Sequence, residues 1–153
     1  MSNSVSVQNR QRGRKLDTRL LRVITRWLLS DALQVQTFQL AVYVVAPDEM
    51  THLNETFLKH KGSTDVLTFD YSEDAEATSV LGEIFVCAEE AVIQSARFRT
   101  DWRSELVRYV VHGTLHLLGY DDQRLASRRK MKRMENLTLK RLAGRFDLKK
   151  LSS

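Results

Sequence analysis

Residues 101–122 read DWRSELVRYVVHGTLHLLGYDD, and the interpretation of the whole chain turns on them. Leu106, Tyr109, Val110 and Leu117 recur at helical spacing, which predicts a helix over 101–118. Gly119 stops it, because glycine takes the left-handed conformation that closes a helix without strain. His112 and His116, four residues apart, project from one face of that helix and can reach a single ion. Asp122 follows beyond the glycine, where a chain that has turned back can add a third ligand. Three protein ligands leave a tetrahedral ion one open position, the arrangement of a catalytic zinc, whereas a structural zinc is usually closed by four. Water in the open position becomes a nucleophile near neutral pH, and the sequence nominates no catalytic group beyond it. A His-x-x-x-His pair alone is more often two hydrogen-bonded histidines. The glycine and the carboxylate at their offsets are what favour a metal.

Outward from this helix the pattern alternates between strands and helices. TFQLAVYVV (37–45) is rich in β-branched and aromatic residues and reads as a buried strand. DVLTF (65–69) and VLGEIFVC (80–87) read as two more, forming a hairpin around an acidic loop over 71–79. Helices are expected over 17–30, with Leu20, Leu21, Ile24, Trp27 and Leu28 inside and Arg19, Arg22 and Arg26 outside, and from Pro47 to before Gly62. Two more are expected over 88–98 and 125–142. The fold class is therefore α/β, a small mixed β-sheet with helices packed against it. At 153 residues and 42% apolar content, one domain is the default. Residues 1–15 are polar and basic and are expected to be a flexible arm, leaving 16–153 as a single metal-dependent hydrolase domain.

The net charge of +5 hides a strong asymmetry. Residues 1–26 carry +6 and residues 124–150 carry +9, so the middle carries −10. Basic ends around an acidic centre suit a protein that holds a polyanion at its margins and a cation in a central pocket, although charge runs also simply solvate helix faces. No apolar stretch approaches the ~20 residues of a membrane span, and the first residues lack the apolar core of a signal peptide, so a cytoplasmic protein without a membrane partner is expected. The lone Cys87 excludes an internal disulfide, sits among apolar neighbours, and gives no reason to expect a disulfide-linked partner.

The spacing of second histidine, glycine and third ligand also occurs in the metzincin signature, but Gly113 stands where those peptidases carry their general-base glutamate. A peptidase of that kind is disfavoured. His112, Gly113, Leu115, His116, Leu117, Gly119, Tyr120 and Asp121 instead match the signature H-G-x-L-H-L-x-G-Y-D-H, and by these residues the chain resembles the YbeY endoribonucleases. Asn54 and Phe57 before TDVLTF (64–69), and Gly82-Glu83-Ile84, are similar to further family motifs, and Met134 and Glu135 loosely to its closing M-x-x-E. The resemblance implies an α/β, single-zinc, single-strand-specific endoribonuclease acting on ribosomal RNA or the small ribosomal subunit, in rRNA maturation and ribosome quality control. One Zn2+ per chain would be held by His112, His116 and Asp122.

Three positions depart from the family pattern. Asp122 stands at the final histidine, Leu58 where an arginine commonly lies beside the substrate groove, and Ser63 at a proline. Lys59 and Lys61 are candidates for the phosphate contact that Leu58 cannot make, with solvated lysines as the alternative. Glu83 is a candidate to orient a metal-bound histidine, Asp65 to brace its turn, and Tyr120 to be a structural tyrosine, while His52 and His60 have no partner at ligand spacing. Two other functions remain open: an RNA-binding ribosome assembly factor with a structural metal, and a zinc hydrolase of another substrate.

Overall fold

The computed structural model describes residues 3–58, 64–73 and 79–152. Along the chain it runs β1 (Ser4–Asn9), α1 (Thr18–Trp27), β2 (Thr37–Val45), α2 (Pro47–Phe57), β3 (Val66–Asp70), β4 (Ser79–Cys87), α3 (Ala88–Phe98), α4 (Trp102–Leu117) and α5 (Leu125–Arg145). A π-helical turn, Leu28–Ala32, extends α1, and a 3-10 turn, Leu148–Leu151, follows α5. The strands form one sheet in the order β1-β2-β4-β3. β1 and β4 both run parallel to β2, and β3 returns antiparallel along β4, so the sheet is mixed as the strand pattern implies.

The alternation of β2 and β4 explains the layering. Phe38, Leu40, Val42 and Val44, with Val80, Ile84 and Val86, point to one face and are buried against α1, α4 and α5 through Leu21, Ile24, Leu106, Val110, Leu115, Met131 and Leu142. The opposite face carries a smaller cluster in which Val45, Leu67, Phe85 and Cys87 pack on Met50 of α2. Full burial of each large apolar side chain stabilises the fold by roughly 1.5–3 kcal/mol.

One expectation is corrected here. Residues 1–15 are not a free arm throughout, because Ser4–Asn9 forms an edge strand whose Val5 is buried. The strand is held by backbone pairing that polar side chains do not prevent: Ser4, Ser6 and Gln8 alternate with Val5 and Val7, and only the valines face the main core. Arg10 continues the tether, its N–H bonded to the Val44 carbonyl at 2.7 Å and its guanidinium to Glu49 at 2.8 Å.

Candidate metal centre

Helix α4 sits at the centre of the structure, against α3, α5, β3 and β4. Its buried residues occur all round rather than on one stripe, as expected of a core helix. Asp101 caps its start, accepting the Arg103 N–H at 2.8 Å. Gly113 lets it seat closely on the sheet. A Cβ there would lie 2.9 Å from Ile84 Cγ2 and 3.1 Å from Thr68 Cγ2, so the residue beside the first histidine is small for packing reasons.

The helix ends in a Schellman motif: Gly119 N–H bonds the His116 carbonyl and Tyr120 N–H the Leu115 carbonyl, both at 3.0 Å, with Gly119 at φ +97°. That reversal carries Asp122 back over the histidines. His112 Nε2 lies 3.1 Å from His116 Nε2, and His116 Nε2 lies 3.5 Å from Asp122 Oδ2. One donor atom from each residue falls within 4.8 Å of the others. A tetrahedral zinc with bonds of about 2.0–2.1 Å holds its ligand atoms roughly 3.3–3.4 Å apart, so the donor set suits a single divalent ion and the 3.1 and 3.5 Å separations at His116 lie close to that spacing.

The electrostatics suit the same role. Burial and the neighbouring His112 depress the pKa of His116 more than Asp122 and the backbone of Tyr120 raise it, which favours the neutral imidazole that binds metal. His112 is oriented from behind by Glu135 on α5, whose Oε1 lies 2.7 Å from His112 Nδ1. A carboxylate at that nitrogen holds the proton on Nδ1 and leaves the Nε2 lone pair for an ion. Glu135 is only 3% exposed. Burial alone would raise its pKa, but hydrogen bonds from His112 and Arg108 and the charge of Lys132 outweigh it and bring the carboxyl down to about 2. Its second oxygen, Oε2, accepts from Arg108 Nη1 at 2.7 Å and Lys132 Nζ at 3.1 Å, so the buried charge is fully paired.

Other candidates separate. Glu83 is not behind a histidine: strand alternation turns it to the face opposite Ile84, where it accepts the Tyr71 hydroxyl at 2.5 Å. Glu135, missed as an orienting group, betrays itself as one of two acidic residues in the basic carboxy-terminal segment, four positions from Met131 on the buried stripe of α5. Asp65 accepts the Val66 N–H at 2.8 Å, Tyr120 packs partly buried against the core, and His52 is exposed. Lys59, Lys61 and His60 lie outside the described residues. Leu58 is 44% exposed at the end of α2. A cavity of about 380 Å³ adjoins the cluster and is lined by His112, Asp122 and Glu135 and by the cations Arg108, Arg128 and Lys132.

The family model described as Endoribonuclease YbeY matches residues 6–143. The Endoribonuclease YbeY of Salinibacter ruber is 33% identical over 138 residues, covering 86% of this chain and 87% of its own. That of Aquifex aeolicus is 32% identical over 147 residues, covering 91% and 98%. The solution structure of TM1509 from Thermotoga maritima is similar with a TM-score of 0.67 at 26% identity, over 93% of this chain and 91% of that one.

Proposed function

The chain belongs to the YbeY endoribonuclease family, and from that premise we propose that it is a zinc-dependent, single-strand-specific endoribonuclease that acts in the cytoplasm on small-subunit ribosomal RNA during maturation and quality control. The observation that carries the reading is the convergence of His112, His116 and Asp122 at ligand spacing, with Glu135 buried behind the first histidine. His112, His116 and Asp122 would hold a divalent ion, which would supply Lewis acidity towards a phosphodiester and activate water for attack.

The protein's own groups do the rest. His112, fixed as the Nδ1–H tautomer by Glu135, and neutral His116 present nitrogen lone pairs, and Asp122 offsets one positive charge. Arg128 and Lys132 on the cavity wall favour a phosphate next to the ligands, a task that Leu58 cannot perform. The basic faces of α1 and α5 add a sequence-independent attraction for a polyanion, which supports RNA over a small neutral substrate. Among the described residues no helix is long and apolar enough to cross a membrane, and the single cysteine, Cys87, is buried.

Elemental analysis of the purified protein and of His116→Ala, paired with cleavage of a single-stranded RNA, tests the proposal. One zinc per chain and cleavage in the parent, with both lost in the folded variant, is the expected result. Retention of RNA affinity and cleavage without metal would defeat it.

A further inference from the structure

The cavity beside the ligand cluster holds more than cations. Gln94, Phe98 and Asp65 also line it. Its volume of about 380 Å³ lies near the lower end of the ~300–1,000 Å³ in which proteins bind small molecules, which suits one unpaired nucleotide rather than a duplex. Phe98 closes α3 and is 64% exposed, and Gln94 stands one helical turn before it, so both side chains leave the same face of the helix. An aromatic face left in water at a cavity wall is a stacking platform that every base can use.

The polar partners are equally uncommitted. Gln94 is half-buried and makes no side-chain hydrogen bond among the described residues. Asp65 uses Oδ1 on its own turn, and its Oδ2 accepts no hydrogen bond among them. Phosphate recognition by Arg128 and Lys132 needs neither an aromatic ring nor an amide, so this half of the cavity has a different ligand chemistry.

We infer that the cavity receives the base of one nucleotide next to the cleaved bond, stacked on Phe98 and read at its edge by Gln94 and Asp65. The inference rests on the ribonuclease reading above. An amide offers a donor and an acceptor together, and a carboxylate accepts from exocyclic amino groups while repelling a carbonyl edge. Adenine, cytosine and guanine therefore fit better than uracil, and Phe98 is the specificity-neutral platform on which that choice is made.

The test uses the zinc-loaded full chain and a fluorescein-labelled single-stranded RNA in which each nucleotide in turn is made abasic. Binding is followed by stopped-flow fluorescence before turnover, and cleavage on a gel. In the parent, one abasic position beside the cleaved bond should weaken binding about tenfold, the size expected for one stacked base. Phe98→Ala should weaken binding of the intact RNA by a similar factor, with the abasic penalty gone and metal content unchanged. Phe98→Trp should restore both, and uracil at that position should bind more weakly than the other bases only while Gln94 and Asp65 are intact. Normal cleavage with a flat abasic scan overturns the inference alone. Parental RNA affinity in Phe98→Ala also overturns it. No cleavage by the zinc-loaded parent overturns the ribonuclease reading and the inference with it.

Discussion

His112 and His116 project from a helix packed against α3, α5 and the sheet, whereas Asp122 rides on the turn between α4 and α5 with its side chain 46% exposed. The histidines have fixed partners: Glu135 for one, the backbone of Tyr120 for the other. The Asp122 side chain has only His116 within ion-pair distance among the described residues. As the proposed ligand set, the cluster would combine a rigid pair, whose geometry the core enforces, with a third member that a bound ion would help to hold. Such a division keeps two coordination positions preorganised and leaves the third free to adjust its distance.

The contrast sets a hierarchy of effects. Removing a ligand from the rigid half is the largest: His116→Ala should lower metal affinity by more than the ~10–100-fold typical of losing a partner behind a ligand, and abolish RNA cleavage, as competition with a chelator and a cleavage assay would show. Glu135→Ala comes next. It leaves His112 without its acceptor and Arg108 without its main counter-charge, so metal affinity should fall about 10–100-fold and stability by about 3 kcal/mol, read by zinc titration and urea unfolding. Should Glu135→Ala bind zinc as tightly as the parent, the rigidity assigned to the helix half is wrong.

The flexible half should yield less. Asp122→Ala leaves two preorganised nitrogens, so zinc affinity should drop about tenfold, less than for His116→Ala. Asp122→His should keep the metal and move the pH–rate profile downwards, because a neutral ligand leaves the ion a stronger Lewis acid. Equal losses for Asp122→Ala and His116→Ala would erase the distinction between the halves.

The smallest effect lies at the far end of the same helix. The Arg103 side chain, against the opposing effect of burial, holds the capping Asp101 carboxyl down to about 2. Its contribution is fully present above the unfolded value of 3.8 and lost as pH falls through about 2. Asp101→Asn should therefore cost about 1–2 kcal/mol near neutrality, and the gap should close between about pH 4 and pH 2 in acid-unfolding curves, with metal binding unchanged at neutral pH.

Much of this was readable from the chain because the signals were local. The periodicities of α3, α4 and α5, the glycine stop and the strand composition of 37–45 and 80–87 each lie within one element, and the mixed sheet with its packed helices followed from them. The two histidines needed only helix geometry. Glu135 did not, because its partnership with His112 depends on how α5 crosses α4, which no spacing along 112–135 encodes. Glu83 misled for the converse reason: a charge inside an apolar strand attracted attention, yet alternation sends it to the face away from the histidine helix. Gly113 carried a packing constraint, the approach of Ile84 and Thr68, that sequence showed only as a missing glutamate.

The pairing of Ser4–Asn9 with β2 has a consequence for how the protein tolerates trimming. Apart from Gln39, β2 is a row of apolar and aromatic residues from Phe38 to Val45, and β1 pairs with the backbone along its outer side. Without those first residues β2 would itself become the border, a flat strand offering open hydrogen-bonding groups to any other chain. Polar serines and a glutamine on the outermost strand make a poor template for further growth, whereas Tyr43 and the valines around it would make a good one. A stretch that composition marks as dispensable thus covers an edge that would otherwise be open, and a chain shortened to begin at Arg10 should aggregate more readily than the parent, as light scattering would show.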